Sequence, residues 1–112
     1  MGFVRHLREP GLPPALISPR RFADALSVDL QTLAAWAHVH RNTVQRAPGS
    51  EALQNYLRDA LRVIRAAIDP CDGIDAALFW FRNEPLPAFG YETPGRVVST
   101  LGPEPLLLAL RS

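Results

Sequence analysis

The sequence predicts an all-α fold, and three observations carry that expectation. Two cap-plus-proline pairs, Ser18-Pro19 and Thr93-Pro94, stand at the head of apolar residues in helical spacing. Leu53, Leu57, Ala60, Leu61, Ile64 and Ile68 form one long stripe on a single helix face. No run of alternating β-branched residues lies between turn signals. In chain order, Pro10, Gly11, Pro13 and Pro14 oppose regular structure, so residues 1–17 read as a flexible or partner-draped arm. Ser18 caps a first helix reaching Ser27, where Phe22, Ala25 and Leu26 recur. Asp29 caps a second, with Leu30, Leu33, Ala34 and Ala37 on one face, and a third short helix runs from His40 to Arg46 before Pro48-Gly49. Ser50 opens the long helix, which Asp69-Pro70 ends. Asp72 then caps Ile74 to Phe81, Thr93-Pro94 opens a helix closed by Gly102, and Glu104 to Leu110 forms the last.

The 112 residues suffice for one domain or two small lobes, and 47% hydrophobic content with two Trp and five Phe supports a real core. All twelve basic residues are Arg, which excludes a P-loop, Schiff-base or other catalytic lysine. Cys71 stands alone, so no internal disulfide forms. With only His6, His38 and His40 beside it, no structural zinc spacing exists, and neither metal nor cofactor is expected. No window is apolar enough for a membrane span and the first ten residues hold no apolar h-region, pointing to a reducing, cytoplasmic setting. Charge is uneven. Residues 1–50 carry six Arg against Glu9, Asp24 and Asp29, whereas residues 51–112 carry six Arg against eight acids, so only the first half suits a polyanion.

The run from Leu33 to Arg46 has two short helices joined by a turn of about three residues. Ala34 is small where the helices cross, and Val39 and Val44 are apolar where the second packs back. With Val44 inward and about 100° per residue, Asn42 and Arg46 point away and Gln45 lies beside them. Arg pairs with guanine and Asn or Gln with adenine in the major groove. Arg41 and His40 stand at the helix N-terminus, and Arg20 and Arg21 on the preceding helix suit backbone phosphates. This segment resembles a helix-turn-helix of the Xre repressor type; His38 occupies the position where that motif usually has a left-handed glycine. The bland alternative is a structural three-helix unit with a solvated polar face.

Farther along, the chain reads Ala77-Leu78-Phe79-Trp80-Phe81-Arg82-Asn83-Glu84-Pro85-Leu86, then Phe89-Gly90, Thr93-Pro94, Val97-Val98, Gly102 and the Leu106 to Leu110 helix. Asn83 suits a helix C-terminus through its tolerance of left-handed φ, and Gly90 allows close backbone approach. Phe79, Trp80, Phe81 and Phe89 are either plain core or surface covered by a second subunit or partner. Arg58, Arg62 and Arg65 form a stripe that is either a solvated face or a seat for an acidic partner. In order and spacing the segment is similar to the toxin-binding domain of Xre/MbcA/ParS-type antitoxins, and with the upstream helices the resemblance spans residues 18–112. It divides the chain into the arm, an Xre-like helix-turn-helix with central helix over 18–69, and a toxin-binding domain over 70–112.

The resemblance implies a bacterial antitoxin that neutralises a RES-type, NAD-consuming toxin by occluding its active site and, with that toxin, represses its own operon. Operator DNA would meet Arg20, Arg21, His40, Arg41, Asn42, Gln45 and Arg46. The toxin would meet Trp80, Phe81, Phe89, Leu106, Leu110, Arg111 and Ser112. A homodimer inside a larger toxin–antitoxin complex is expected, because one helix-turn-helix makes too few specific contacts. The alternative is a free-standing dimeric repressor. An enzyme is not expected: Asp72 and Asp75 read as cap and first-turn charges, and Cys71 has no base beside it in sequence.

Overall fold

In the computed structural model, which describes residues 2–111, every regular element is helical apart from one isolated bridge. The helices are α1 (Gly2–His6), α2 (Pro19–Leu26), α3 (Leu30–Ala37), α4 (Arg41–Arg46), α5 (Glu51–Cys71), α6 (Ile74–Asn83), α7 (Pro94–Leu101) and α8 (Glu104–Leu110), with a 3-10 turn at Pro87–Phe89. The all-α expectation therefore holds. Packing divides the chain into two units, Met1–Arg58 and Asp59–Ser112, with the division falling inside α5.

In the first unit, Phe22, Ala23 and Leu26 of α2, Leu33, Ala34, Trp36 and Ala37 of α3, and Val44 of α4 are buried, as are Leu53, Tyr56 and Leu57 of α5. Side-chain caps begin the three short helices: Ser18 accepts from Arg21 N–H, Asp29 from Thr32 N–H and His40 from Asn42 N–H. These caps follow one another at a constant interval. α2 and α3 end alike, on a left-handed non-glycine residue, Ser27 at φ 56° and His38 at φ 58°. The valine after each donates its N–H five residues back, Val28 to Ala23 and Val39 to Ala34, which satisfies carbonyls the helix leaves open.

The segment read as a flexible or partner-draped arm carries a helix and buried residues. α1 occupies its start, and Leu7 and Ile17 are buried. The prolines do break regular structure from Pro10 onward, but the backbone on either side finds partners elsewhere.

In the second unit, Ala60, Leu61, Val63, Ile64 and Ala67 of α5, Ala77 and Phe81 of α6, Val97 and Val98 of α7 and Leu106 of α8 are buried. α6 packs on α7 and α7 on α8. α5 runs through Pro70 to Cys71, beyond the expected stop at Asp69-Pro70. The terminator is Asp72, left-handed at φ 69°, after which Gly73 N–H bonds Ile68 O at 2.9 Å. Asp72 is thus the end of α5 and not the cap of α6; Gly73 takes that position without a side-chain bond. Asn83 is helical and donates Nδ2–H to Phe79 O at 3.2 Å instead of adopting positive φ. Gly90 at φ 67° is required by conformation and not by close approach, since a Cβ there would meet nothing within 4 Å. Thr93 accepts from Arg96 N–H and opens α7 as expected.

Candidate functional site

α4 presents most of its side chains outward. Val44 is its buried residue, while Arg41, Asn42, Gln45 and Arg46 are all exposed. α3 packs directly on α4, and Ala34 is fully buried, the small residue that a close crossing requires. Trp36 lies beside Tyr56 with ring centroids 5.9 Å apart, which anchors α3 on the first turns of α5. Burial pushes the Tyr56 phenol well above its ordinary value. α3 is therefore a fixed platform and α4 a short presented edge.

His40 is exposed and caps the start of α4. Its Nδ1 accepts from Asn42 N–H at 3.1 Å, which helps start α4. His38, exposed, holds the left-handed turn.

Arg20 is exposed and lines one hollow with Gln31 and Arg41 and another with Gln45. Asp24 and Asp29 line the Arg41 hollow too. The Asp29 carboxyl is held below its ordinary value, first by hydrogen bonds from Thr32 and then by the Arg41 charge. Arg41 thus meets a neighbouring carboxylate that tempers its field. Arg21 does not share the open face: its guanidinium donates to His6 O at 3.2 Å and Arg8 O at 2.9 Å.

The apolar candidates separate more sharply. Phe81 and Leu106 are buried within the second unit, at 0% and 2% exposure, so they are core and cannot meet a partner without unfolding. They fall at the inward phase of α6 and α8, which periodicity alone leaves ambiguous in helices this short. Trp80, Phe89 and Leu110 are partly buried and Arg111 is exposed, while Ser112 lies outside the described residues. Sequence reasoning missed the most exposed apolar groups, Tyr91 at 69%, Leu108 at 62% and Leu101 at 61%, and left Phe79 at 63% undecided. Phase was the available signal, since Phe79 sits two residues from both Ala77 and Phe81, and Leu108 two from Leu106.

Gln54 was also missed. It is 2% exposed, accepts from Ile17 N–H at 3.0 Å, and donates to Ile17 O at 2.9 Å and Pro48 O at 2.7 Å. One buried amide thereby ties the residues before α2 to the loop after α4.

Burial, then the Glu84 carboxylate, raises the pKa of the Cys71 thiol, opposite to what a nucleophilic thiolate needs. Among the described residues no three His, Cys, Asp or Glu side chains converge as metal ligands, and no helix is long and apolar enough to cross a membrane. No family model matches the chain, and neither a curated protein nor a solved structure does.

Proposed function

We propose that the chain is an antitoxin-type regulator: its first unit reads operator DNA through α4, and its second unit binds and silences a RES-type, NAD-consuming toxin, in a cytoplasmic complex containing a homodimer of this chain. The observation that carries the reading is α4, which keeps Val44 inward and turns Arg41, Asn42, Gln45 and Arg46 to the outside. These are the side chains that pair bidentately with guanine and adenine edges. The exposed apolar groups Phe79, Leu101 and Leu108 support the partner role of the second unit, since aromatic and aliphatic anchors dominate protein interfaces. The chemistry of the partner rests on the resemblance of residues 18–112 to Xre/MbcA/ParS-type antitoxins.

The test separates the two roles on variants that keep the core intact. Arg46→Ala should cost on the order of 1–3 kcal/mol in binding to the promoter of its own operon, as loss of a bidentate base contact does. It should still protect cells that co-express the toxin encoded beside it. Phe79→Ser with Leu108→Ser should show the reverse, binding DNA as the parent does and failing to protect. Full protection by the double variant would replace the antitoxin reading with that of a free-standing dimeric repressor.

A further inference from the structure

The residues before α2 are fastened to it through three consecutive carbonyls. Leu7 O accepts from Ser18 N–H at 2.8 Å, and the flanking His6 O and Arg8 O both accept from the Arg21 guanidinium. Leu7 itself is buried, and Glu9 accepts a hydrogen bond from the Ser18 hydroxyl. The segment therefore sits at a defined place on the first unit. That place adjoins α4: Glu9 and Leu12 line the same hollow as Arg20, Val44 and Gln45. A second hollow joins His6 and Glu9 to Arg20, Arg21 and Asp24, and a third joins Arg5, Arg8 and Glu9 to Pro10 and Pro14. Around these adjoining hollows stand four guanidinium groups, Arg5, Arg8, Arg20 and Arg21, against two carboxylates, Glu9 and Asp24. Arg5, Arg8 and Arg20 are exposed, Arg8 turns one guanidinium nitrogen, Nη1, to Pro14 O, and Glu9 is partly buried on Ser18.

We propose that Arg5 and Arg8 form a phosphate clamp that extends the α4 edge along the backbone of duplex DNA, with Arg21 as the positioning residue that holds the clamp beside Arg20. The proposal rests on the DNA-reading role of α4. It assigns Arg21 a holding task, since its Nη1 bonds the carbonyls of both His6 and Arg8. Such a clamp contributes affinity without sequence information, because phosphates are the same at every base pair. It also makes binding steeper in salt, each neutralised phosphate adding about 0.9 to the slope of log K against log salt.

The experiment measures binding of the full chain to a fluorescent mixed-sequence duplex across a salt series. Arg5→Gln combined with Arg8→Gln should weaken binding and lower the salt slope by about 2. Arg5→Glu, at an exposed position, should weaken binding further than Arg5→Gln does. Arg21→Gln should lower the slope like the double variant, and adding it to the double variant should change little more. Circular dichroism identical to the parent's keeps these readings on the charge and not on the fold. A parent-like slope in both the double variant and Arg5→Glu, while Arg41→Ala with Arg46→Ala weakens binding, would overturn the clamp and leave the α4 reading standing. A parent that binds no duplex would overturn both.

Discussion

The two units of this chain finish their surfaces in opposite ways. In the first, three successive helices are opened by side-chain caps from Ser18, Asp29 and His40, and the charged side chains left exposed are more often Arg than Asp or Glu. In the second, α7 is capped by Thr93 while α6 and α8 open without a side-chain cap, and Phe79, Tyr91, Leu101 and Leu108, the exposed large apolar side chains among the described residues, all belong to it. Residues 1–58 carry seven Arg against four acids, and residues 59–112 five Arg against seven. The units thus differ in the sign of their net charge and in where large apolar side chains stay exposed.

The largest effects should come from side chains that the second unit does bury. Phe81→Ala should cost about 3–5 kcal/mol of stability by emptying a core position, whereas Phe79→Ser, two residues away, should stay within about 0.5 kcal/mol. Chemical denaturation of both variants measures the contrast, and equal losses would erase the distinction between core and surface on α6. In the first unit, Gln54→Leu should cost about 3 kcal/mol, because Ile17 N–H and the Ile17 and Pro48 carbonyls lose their buried partner. A melt unchanged by that substitution would show that the amide does not hold this unit together.

Much of this architecture is written locally and therefore legibly. Ser18-Pro19, Asp29 and Thr93-Pro94 announce helix starts because the cap and its N–H partner lie three residues apart. What stayed hidden depends on distant partners. Gln54 reads as an interruption of an apolar face until Ile17, far away in sequence, meets it. Leu7 and Ile17 look like arm residues until the carbonyls around Leu7 find Arg21 and Ser18. Asp72 was legible as a cap but not as whose, since Asp suits both a left-handed helix end and a helix start. On the candidate site, the outward set on α4 followed from one inward valine, while Phe81 and Leu106 were misplaced because helices of ten and seven residues give periodicity little length to act on.

A smaller effect sharpens the comparison from the side of the caps. His38→Gly should stabilise the first unit by about 1 kcal/mol by removing the Cβ conflict of the left-handed conformation, seen as a higher melting temperature. The smallest effect concerns acid. The Asp29 carboxyl lies below its ordinary value in the folded chain, so its contribution is present above the ordinary carboxylate range and is lost as pH falls through the folded value. Asp29→Asn should therefore flatten the acid limb of the stability profile slightly and leave neutral and alkaline stability with the same pH dependence. An acid limb as steep as the parent's would locate that sensitivity in other carboxylates.

The constant interval between the caps at Ser18, Asp29 and His40, with left-handed turns at Ser27 and His38 between them, makes this stretch a ruled scale along the chain. Deleting one residue inside one of these helices turns the rest of that helix by about 100°, so a deletion between His40 and Val44 would carry Val44 off the core. Loops are ordinarily where chains absorb changes in length, yet the two loops here have none to spare. The stretch around Pro10 to Pro14 does, because it lies between the anchors at Leu7 and Ile17 and carries no helix whose phase could be lost. Length variation across homologous chains should collect before Ile17 and vanish between Ser18 and Arg46, leaving substitution as the route by which the outer face of α4 changes.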